Sequence, residues 1–219
     1  MKERAMQRRE FTALSMSALA SLTATPVLAQ AGGFKEGTDY LPLKNRVATD
    51  VGKGKIEVLE FFWYNCPHCN AFEPALSAWS KKLPKDVVLK RVPVRFREDF
   101  EAQQRAYYVW ESLGMVEAMH GKLFNAIHNE KQNLTSGNAL AAWAGKNGLS
   151  EQKFLETFNS FGVATKARRA TQLQEAFKVQ GVPALGVAGR FYTDGSLAGS
   201  MERALQITDY LIGEVRRGR

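Results

Sequence analysis

The sequence predicts an α/β fold that carries an inserted helical subdomain, and three observations lead to this prediction. A strand, a helix and a second strand follow one another between residues 55 and 94, at the length of a βαβ unit. The segment from 97 to about 165 shows helical periodicity without a strand-like run. The rest of the chain returns to short strands and ends in a helix. With 219 residues, 45% of them hydrophobic, the chain is long enough to bury a sizeable core.

The predicted central strand runs from Lys55 to Asn65 and is apolar at both parities apart from Glu57 and Glu60. Such a run is typical of a strand that is covered on both faces. A helix follows at once, because Pro67 suits a first helical turn. Its apolar side chains recur at spacings of three and four, which gives one buried face: Cys69, Phe72, Leu76, Trp79 and Leu83. Pro74 is expected to kink this helix, and a β-branched strand follows at residues 87–94.

The helical segment has ten apolar side chains as candidate anchors: Tyr107, Trp110, Leu113, Phe124, Ile127, Leu140, Trp143, Phe154, Phe158 and Phe161. Gly148 marks the end of one helix, and Ser150 marks the start of the next. A helix over about 164–179 leads to a Gly-Val-Pro turn, strands near 184–188 and at 191–192, and a last helix over about 200–216. The predicted division is therefore 30–96 and 166–219 for the two parts of the α/β domain, with 97–165 as the inserted helical subdomain.

The N-terminus has the composition of a cleavable export signal. A basic start with Arg8 and Arg9 precedes an apolar run from Phe11 to Val27, and cleavage is expected after Ala29, so that residues 1–29 form the signal. The run is too short and too rich in Ser and Thr for a membrane-spanning helix. The paired arginines resemble a twin-arginine signal, although Thr12 weakens the match, and the export route stays open.

The charge of the chain argues against a nucleic-acid partner. The first 29 residues carry four basic and two acidic side chains, so their removal lowers the formal net charge from +8 to +6. The remaining basic residues recur along the chain without a dense block or interleaved aromatic residues. This pattern favours solvated faces over nucleic-acid binding.

The two cysteines, Cys66 and Cys69, are only three positions apart. A disulfide that closes so small a loop contributes little to stability, so the pair indicates chemistry. At the start of a helix, free N–H groups and the helix dipole stabilise a thiolate at Cys66, which is the predicted nucleophile. Cys69, one turn on, is the predicted resolving thiol, and the exchange reaction requires no cofactor. The alternatives are an inert short disulfide and half of a zinc site.

A zinc site is the weaker alternative, because a closed site needs four ligands and the three histidines are the remaining nitrogen donors. We therefore predict no metal site. His68 lies between the cysteines, where its charge favours the thiolate and makes the disulfide more oxidising, unless it is an ordinary exposed loop histidine. His120 and His128 lie in the helical segment without a partner motif, and we assign them no role.

Glu60 shares its strand parity with apolar residues, so its carboxylate is expected in an apolar layer six residues before Cys66. Such a group is costly to bury unless it is paired or has a function. One interpretation is a proton acceptor for Cys69 with a raised pKa, and the other is an ion pair with Arg91 on the next strand. Downstream, Val182-Pro183 occupies a tight turn between helix and strand.

The run from Phe61 to Cys69, with Glu60 before it and Gly181-Val182-Pro183 downstream, resembles the DsbA family of periplasmic dithiol oxidases. The resemblance spans nearly the whole chain after the signal and includes a helical insertion within a thioredoxin-like fold. It implies that Cys66, Pro67, His68 and Cys69 form the redox-active element. It further implies a solvent-accessible Cys66, a buried Cys69, a buried acid at Glu60, and a cis Val182-Pro183 bond that contacts substrate backbone.

The function that this resemblance implies is donation of the Cys66–Cys69 disulfide to newly exported, unfolded proteins with thiols. A quinone-linked membrane partner of the DsbB type would reoxidise the pair, and a monomer is expected. A second hypothesis is an isomerase or reductase, but only about 25 residues separate the expected cleavage site from the strand at Lys55, which leaves no room for a dimerising domain. In addition, Val and not Thr precedes Pro183. A third hypothesis is a chaperone-like binding module whose disulfide is vestigial.

Overall fold

The computed structural model describes residues 33–219. The predicted signal at residues 1–29 lies outside the described residues and stays a prediction. The elements in chain order are β1 (Leu41–Pro42), β2 (Ile56–Phe62), α1 (Pro67–Ser80), β3 (Val87–Pro93), α2 (Glu101–Ser112), α3 (Val116–His128), α4 (Gly137–Lys146), α5 (Glu151–Phe158), α6 (Phe161–Ala176), β4 (Ala184–Val187), β5 (Phe191–Asp194), α7 (Gly195–Ala198) and α8 (Met201–Arg216). The α/β class is confirmed.

The five strands form one sheet in the order β1-β5-β4-β2-β3. Strand β2 pairs in parallel with β3, with Ile56 opposite Val87, and antiparallel with β4, with Val58 opposite Val187. The parallel pair requires a crossover connection, which α1 supplies. All seven residues of β2 are buried, as the unbroken apolar run predicts for a central strand.

The sheet has a separate apolar core on each face. Val58 of β2 packs in one core together with Phe72 of α1 and Leu211 of α8. Leu59, the next residue, belongs to the other core, together with Phe177 at the end of α6. Successive residues of a strand point to opposite faces, so β2 contributes side chains to both cores. These two cores fix the position of the loop between β2 and α1.

Helices α2 to α6 lie between β3 and β4, preceded by a 3-10 turn at Glu98–Phe100. The predicted helix boundary at Gly148 and Ser150 is confirmed: the glycine has φ +97°, and the Ser150 hydroxyl accepts a hydrogen bond from the Lys153 N–H. In the described stretch from 97 to 165 every regular element is helical. The exact limits of an inserted subdomain at 97 and 165 stay a prediction.

Two sequence-based expectations need correction, and one strand was missed. Phe161 is no core anchor: it is 80% exposed as the first residue of α6, outside the buried face of that helix. Helix α6 begins there, after the Ser160 cap, earlier than the predicted start at 164. Strand β1 was not predicted, because a two-residue strand is too short to show a period; Leu41 pairs with Tyr192 of β5.

Helix α1 continues through Pro74 to Ser80, so the proline does not end it; a kink there stays a prediction. Among residues 33–219, the helices lack the combination of length and apolar character that crossing a membrane requires.

Candidate active site

The two thiols lie at the start of α1. Cys66 is the extended residue immediately before the helix, and Pro67 is the first helical residue. The Cys66 N–H donates to the Trp63 carbonyl at 3.0 Å, and the Cys66 carbonyl accepts from the Asn70 N–H at 3.1 Å. These main-chain bonds hold the loop and the first helical turn together. Both cysteines are free thiols.

The exposure of the two thiols differs, but less than the resemblance predicts. Cys69 is completely buried, as expected, and Cys66 retains 8% of its surface. Pro67 and His68 between them are exposed. Cys66 is less accessible than expected because the turn before Pro183 lies against it, with the Cys66 thiol donating to the Val182 carbonyl at 3.4 Å.

The pKa of the Cys66 thiol is lowered to about 6. The largest cause is the hydrogen bond from the Cys69 side chain, and burial opposes it. The main-chain N–H groups of Cys69 and His68 and the charge of His68 add to the lowering. The helix start therefore stabilises the thiolate, as its unpaired N–H groups predict.

The pKa of the Cys69 thiol moves the other way and is strongly raised. Burial is the main cause, followed by the hydrogen bond to Cys66 and the negative charges of Cys66 and Glu60. One turn of helix thus separates a thiol that ionises readily from one that stays protonated. Such a divergence of neighbouring titratable groups marks a site where the two have different chemical roles.

Glu60 is completely buried in β2, and its pKa is raised to about 8. Burial is the main cause, and the nearby charge of Glu73 adds to it, whereas Arg91 opposes both. The Nε of Arg91 lies 3.1 Å from Oε2 of Glu60, although the contact lacks the geometry of a hydrogen bond. The raised pKa of the first interpretation is therefore present, and so is the close approach of Arg91 that the second interpretation requires.

Two residues of this site were missed from the sequence: Glu73 of α1 and His120 of α3. Nη2 of Arg91 lies 2.6 Å from Oε1 of Glu73, and Nε2 of His120 lies 3.3 Å from Oε2 of the same carboxylate. Burial raises the pKa of Glu73, but the hydrogen bond from His120 and the charge and hydrogen bond of Arg91 outweigh it and lower that pKa. The apolar stripe of α3 carries the missed signal, because His120 precedes Phe124 and Ile127 by four and seven positions.

Tyr64 connects the loop before Cys66 to α3 at two points. Its hydroxyl lies 2.8 Å from Nδ1 of His120, and its carbonyl lies 2.7 Å from Nε2 of His128. Both histidines, to which the sequence assigned no role, therefore contact one residue of the active-site loop.

The Val182-Pro183 peptide bond is cis, as the resemblance implies. Pro183 is buried immediately before β4, and Val182 is half-buried and packs against the core that includes Cys66. The structure thus brings together all the predicted site residues, namely Glu60, Cys66, Pro67, His68, Cys69, Val182 and Pro183.

Three features together define a thioredoxin-fold thiol:disulfide oxidoreductase. They are a sheet with a parallel βαβ unit, two thiols at the start of its crossover helix, and a cis-proline turn against the first thiol. The sequence model of the DSBA-like thioredoxin domain matches residues 57–206. The chain belongs to the DsbA family.

Individual relatives agree with this assignment. The thiol:disulfide interchange protein DsbA of Bordetella parapertussis is 41% identical over 213 residues, which is 97% of this chain and 100% of the relative. The protein of the same name from Pseudomonas aeruginosa is 38% identical over 208 residues, covering 95% and 97% of the two chains. The crystal structure of Pseudomonas aeruginosa DsbA matches with a TM-score of 0.80 at 37% identity, over 84% of this chain and 96% of that one. The protein is thus a thiol:disulfide oxidoreductase with thiol-containing substrates.

Proposed function

We propose that this oxidoreductase works as a dithiol oxidase in the periplasm and donates its Cys66–Cys69 disulfide to newly exported proteins. The observation that carries the proposal is the opposite displacement of the two pKa values, to about 6 for Cys66 and strongly upward for Cys69. At pH 7, a pKa of about 6 leaves roughly nine tenths of Cys66 as thiolate. A stabilised thiolate favours the reduced protein, and the disulfide is correspondingly oxidising.

The reaction proceeds in two exchanges. A substrate thiolate attacks Sγ of Cys66, forms a mixed disulfide and displaces Cys69, which takes up a proton. A second substrate thiolate then attacks the substrate sulfur of the mixed disulfide and releases Cys66 as its thiolate. The substrate gains one disulfide and loses two electrons, which reside in the reduced Cys66–Cys69 pair. Cys66 is a good leaving group in the second exchange because a thiol of lower pKa leaves faster.

We assign the proton of Cys69 to Glu60. A carboxyl with a pKa of about 8 is largely protonated at neutral pH and can donate when Cys69 leaves. In the reverse direction, during reoxidation, the carboxylate accepts the proton as Cys69 attacks Cys66. His68 contributes positive charge beside Cys66, and Pro67 begins the helix that presents both thiols.

Substrate binding is assigned to the turn at Val182-Pro183. The Val182 carbonyl lies 3.4 Å from Sγ of Cys66, so main-chain groups of this turn are within reach of a chain bound at that sulfur. Extended docking through main-chain hydrogen bonds would accept unfolded proteins of varied sequence.

The cellular part of the proposal comprises export by the signal at 1–29, a monomeric mature protein, and reoxidation by a quinone-linked membrane partner of the DsbB type. Fusion of residues 1–29 to a reporter that is active only after export tests the signal. Replacing Arg8 and Arg9 by lysines distinguishes the twin-arginine route from the general one.

The decisive experiment is equilibration of residues 30–219 with a glutathione redox series, read by thiol alkylation. An oxidase is half-reduced at an oxidising poise, well above the potential of thioredoxin, which is about −270 mV. A thioredoxin-like potential would favour a reductase, and a pair that resists reduction would favour a binding module. Either outcome would contradict the oxidase proposal.

A further inference from the structure

A series of side-chain contacts connects Glu60 in the sheet to His120 in helix α3. Arg91 lies between two carboxylates, with Nε 3.1 Å from Glu60 and Nη2 2.6 Å from Glu73. The far oxygen of Glu73 lies 3.3 Å from Nε2 of His120. The side chains of Arg91 and Glu73 are 14% and 16% exposed, and that of His120 is 5% exposed. Charged groups that are this largely buried are screened less than exposed ones.

The two contacts of His120 assign its neutral tautomer. The pKa of the Tyr64 hydroxyl is raised well above its ordinary value by burial, so the hydroxyl is protonated and can donate to Nδ1. Nε2 then carries the hydrogen and donates to Glu73. Burial also lowers the pKa of His120, although Glu73 acts to raise it, and this lowered pKa favours the neutral ring at pH 7. Both ring nitrogens are satisfied in this arrangement.

Other titratable groups also face this ring. Arg91 of β3 and Glu117 of α3 act on it through their charges, and the Tyr107 ring of α2 lies 5.9 Å away, centroid to centroid. A pocket lined by Glu73, Arg91, Glu117, His120 and Lys81, among others, opens the cluster to solvent. Among the side chains of residues 33–219, Glu73 alone both hydrogen-bonds to His120 and pairs with Arg91.

We propose that His120 is a positioning residue for the Cys69 step: it holds Glu73 against Arg91, which keeps Arg91 shared between two carboxylates and leaves Glu60 able to exchange a proton with Cys69. This inference rests on the proposed role of Glu60 as the proton carrier. It also gives the inserted helices a part in the chemistry, since α3 supplies the residue.

The geometry sets the direction of the effect. Without the His120 hydrogen bond, Glu73 either takes up a proton or turns away from Arg91. In both cases negative charge is lost beside Arg91, whose full charge then acts on Glu60. The pKa of Glu60 falls, since Glu73 raises it and Arg91 lowers it.

The test is the reaction of the reduced protein with the aromatic disulfide dithiobis(nitrobenzoate), followed by stopped flow across a pH series. The Cys66 thiolate attacks the reagent, forms a mixed disulfide and releases a first nitrothiobenzoate. Cys69 then attacks Sγ of Cys66, loses its proton and releases the second. The first phase depends on reagent concentration and reports Cys66. The second is independent of concentration and reports Cys69.

Three substitutions separate the two contacts of the ring. His120→Gln can retain a donor at the place of Nε2, and His120→Asn can retain an acceptor at the place of Nδ1, whereas His120→Leu retains neither. We expect the pH midpoint of the second phase to lie near 8 in the wild type, to be similar in His120→Gln, and to fall by about 0.5–1 unit in the other two. The first phase should keep its midpoint in all three.

Glu117→Gln is the matched control, because it removes a charge near the ring but keeps both hydrogen bonds of His120. Its second phase should keep the wild-type midpoint. Two results would overturn the inference. One is a midpoint that shifts equally in His120→Gln and His120→Leu, or only in these two variants, because both lose the Tyr64 contact. The other is a midpoint that shifts in no folded variant. Urea unfolding of each variant verifies that it is folded.

The variant Glu60→Gln distinguishes failure of this inference from failure of the proposed function. If Glu60→Gln leaves the second phase and its pH midpoint unchanged, Glu60 is no proton carrier and the inference falls with it. If Glu60→Gln removes the midpoint near 8 but the His120 variants behave as the wild type, the proposed role of Glu60 stands and only that of His120 is wrong.

Discussion

Arg91 approaches Glu60 to 3.1 Å, and yet the pKa of that glutamate rises to about 8. The cation cannot offset the burial of the carboxylate, because its Nη2 is bound to Glu73 at 2.6 Å. Desolvation of a fully buried charge commonly outweighs a single ion pair. Glu60 therefore titrates near neutral pH, whereas an ordinary ion-paired glutamate would stay ionised.

Replacing Glu60 by Gln should slow the attack of Cys69 on Cys66, because the amide cannot accept the Cys69 proton. A general base typically contributes 10²–10⁴-fold, and we expect a loss near the lower end, about 100-fold. The second, concentration-independent phase of nitrothiobenzoate release measures this step. Glu57→Gln is the control, since Glu57 lies buried in the same strand and pairs instead with Lys90 at 3.4 Å. Equal slowing in both variants would contradict a specific role for Glu60.

The Cys66 thiol should titrate with a midpoint of about 6 in the reduced protein. His68→Ser should raise this midpoint by about 0.5–1 unit, because it removes a positive charge beside the thiolate. The same variant should be less oxidising in the glutathione series. Thiolate absorbance in the ultraviolet, with Cys66→Ser as the blank, measures the midpoint. An unchanged midpoint in His68→Ser would assign the lowered pKa to the helix start and Cys69 alone.

The free energy of unfolding of the reduced protein should depend on pH through Cys66. The folded pKa of about 6 lies below the ordinary value of 9.0. The contribution of the Cys66 thiolate to the free energy of unfolding is therefore fully present above about pH 9 and is lost as the pH falls towards 6. Reduced wild type and reduced Cys66→Ser, compared by urea unfolding at several pH values, isolate this effect because both contain Glu60. A difference that stays constant between pH 6 and 9 would contradict the assigned thiolate.

In the same experiment, the raised pKa of Glu60 should have the opposite effect on how the free energy of unfolding depends on pH. Its folded pKa of about 8 lies above the ordinary 4.5, so folding favours the protonated acid. The wild type should therefore lose stability relative to Glu60→Gln as the pH rises from about 4.5 to 8, with no further loss above. A gain over this range would indicate that Glu60 is ionised in the folded protein.

Two phenylalanines of the helical segment should respond differently to truncation. Phe161 is 80% exposed, whereas Phe154 is completely buried beside Trp110, with ring centroids 5.2 Å apart. Phe161→Ala should change the free energy of unfolding by no more than about 0.5 kcal/mol. Phe154→Ala should cost about 3–5 kcal/mol. Urea unfolding measures both, and similar losses would contradict the placement of these two side chains.

Much of the fold and site could be predicted because the information is local. The helix after β2 follows from Pro67 and the apolar spacing, and the boundary between α4 and α5 follows from Gly148 and Ser150. The unusual burial of Glu60 also follows from its place in an apolar run. Phe161 shows where such reasoning fails, since an apolar residue at the edge of a helix can match the period and still face solvent.

By itself, the sequence determined the class of chemistry, because two thiols one turn apart at a helix start favour a thiolate at the first and its exchange with the second. Only the tertiary structure decided what surrounds that pair. His120 meets Glu73 across 47 positions, and the Val182 carbonyl meets Cys66 across 116. Such contacts arise when elements with no common local pattern pack around one core. The pKa values of Glu60 and Cys69 depend on that packing because it excludes water and brings distant charges together.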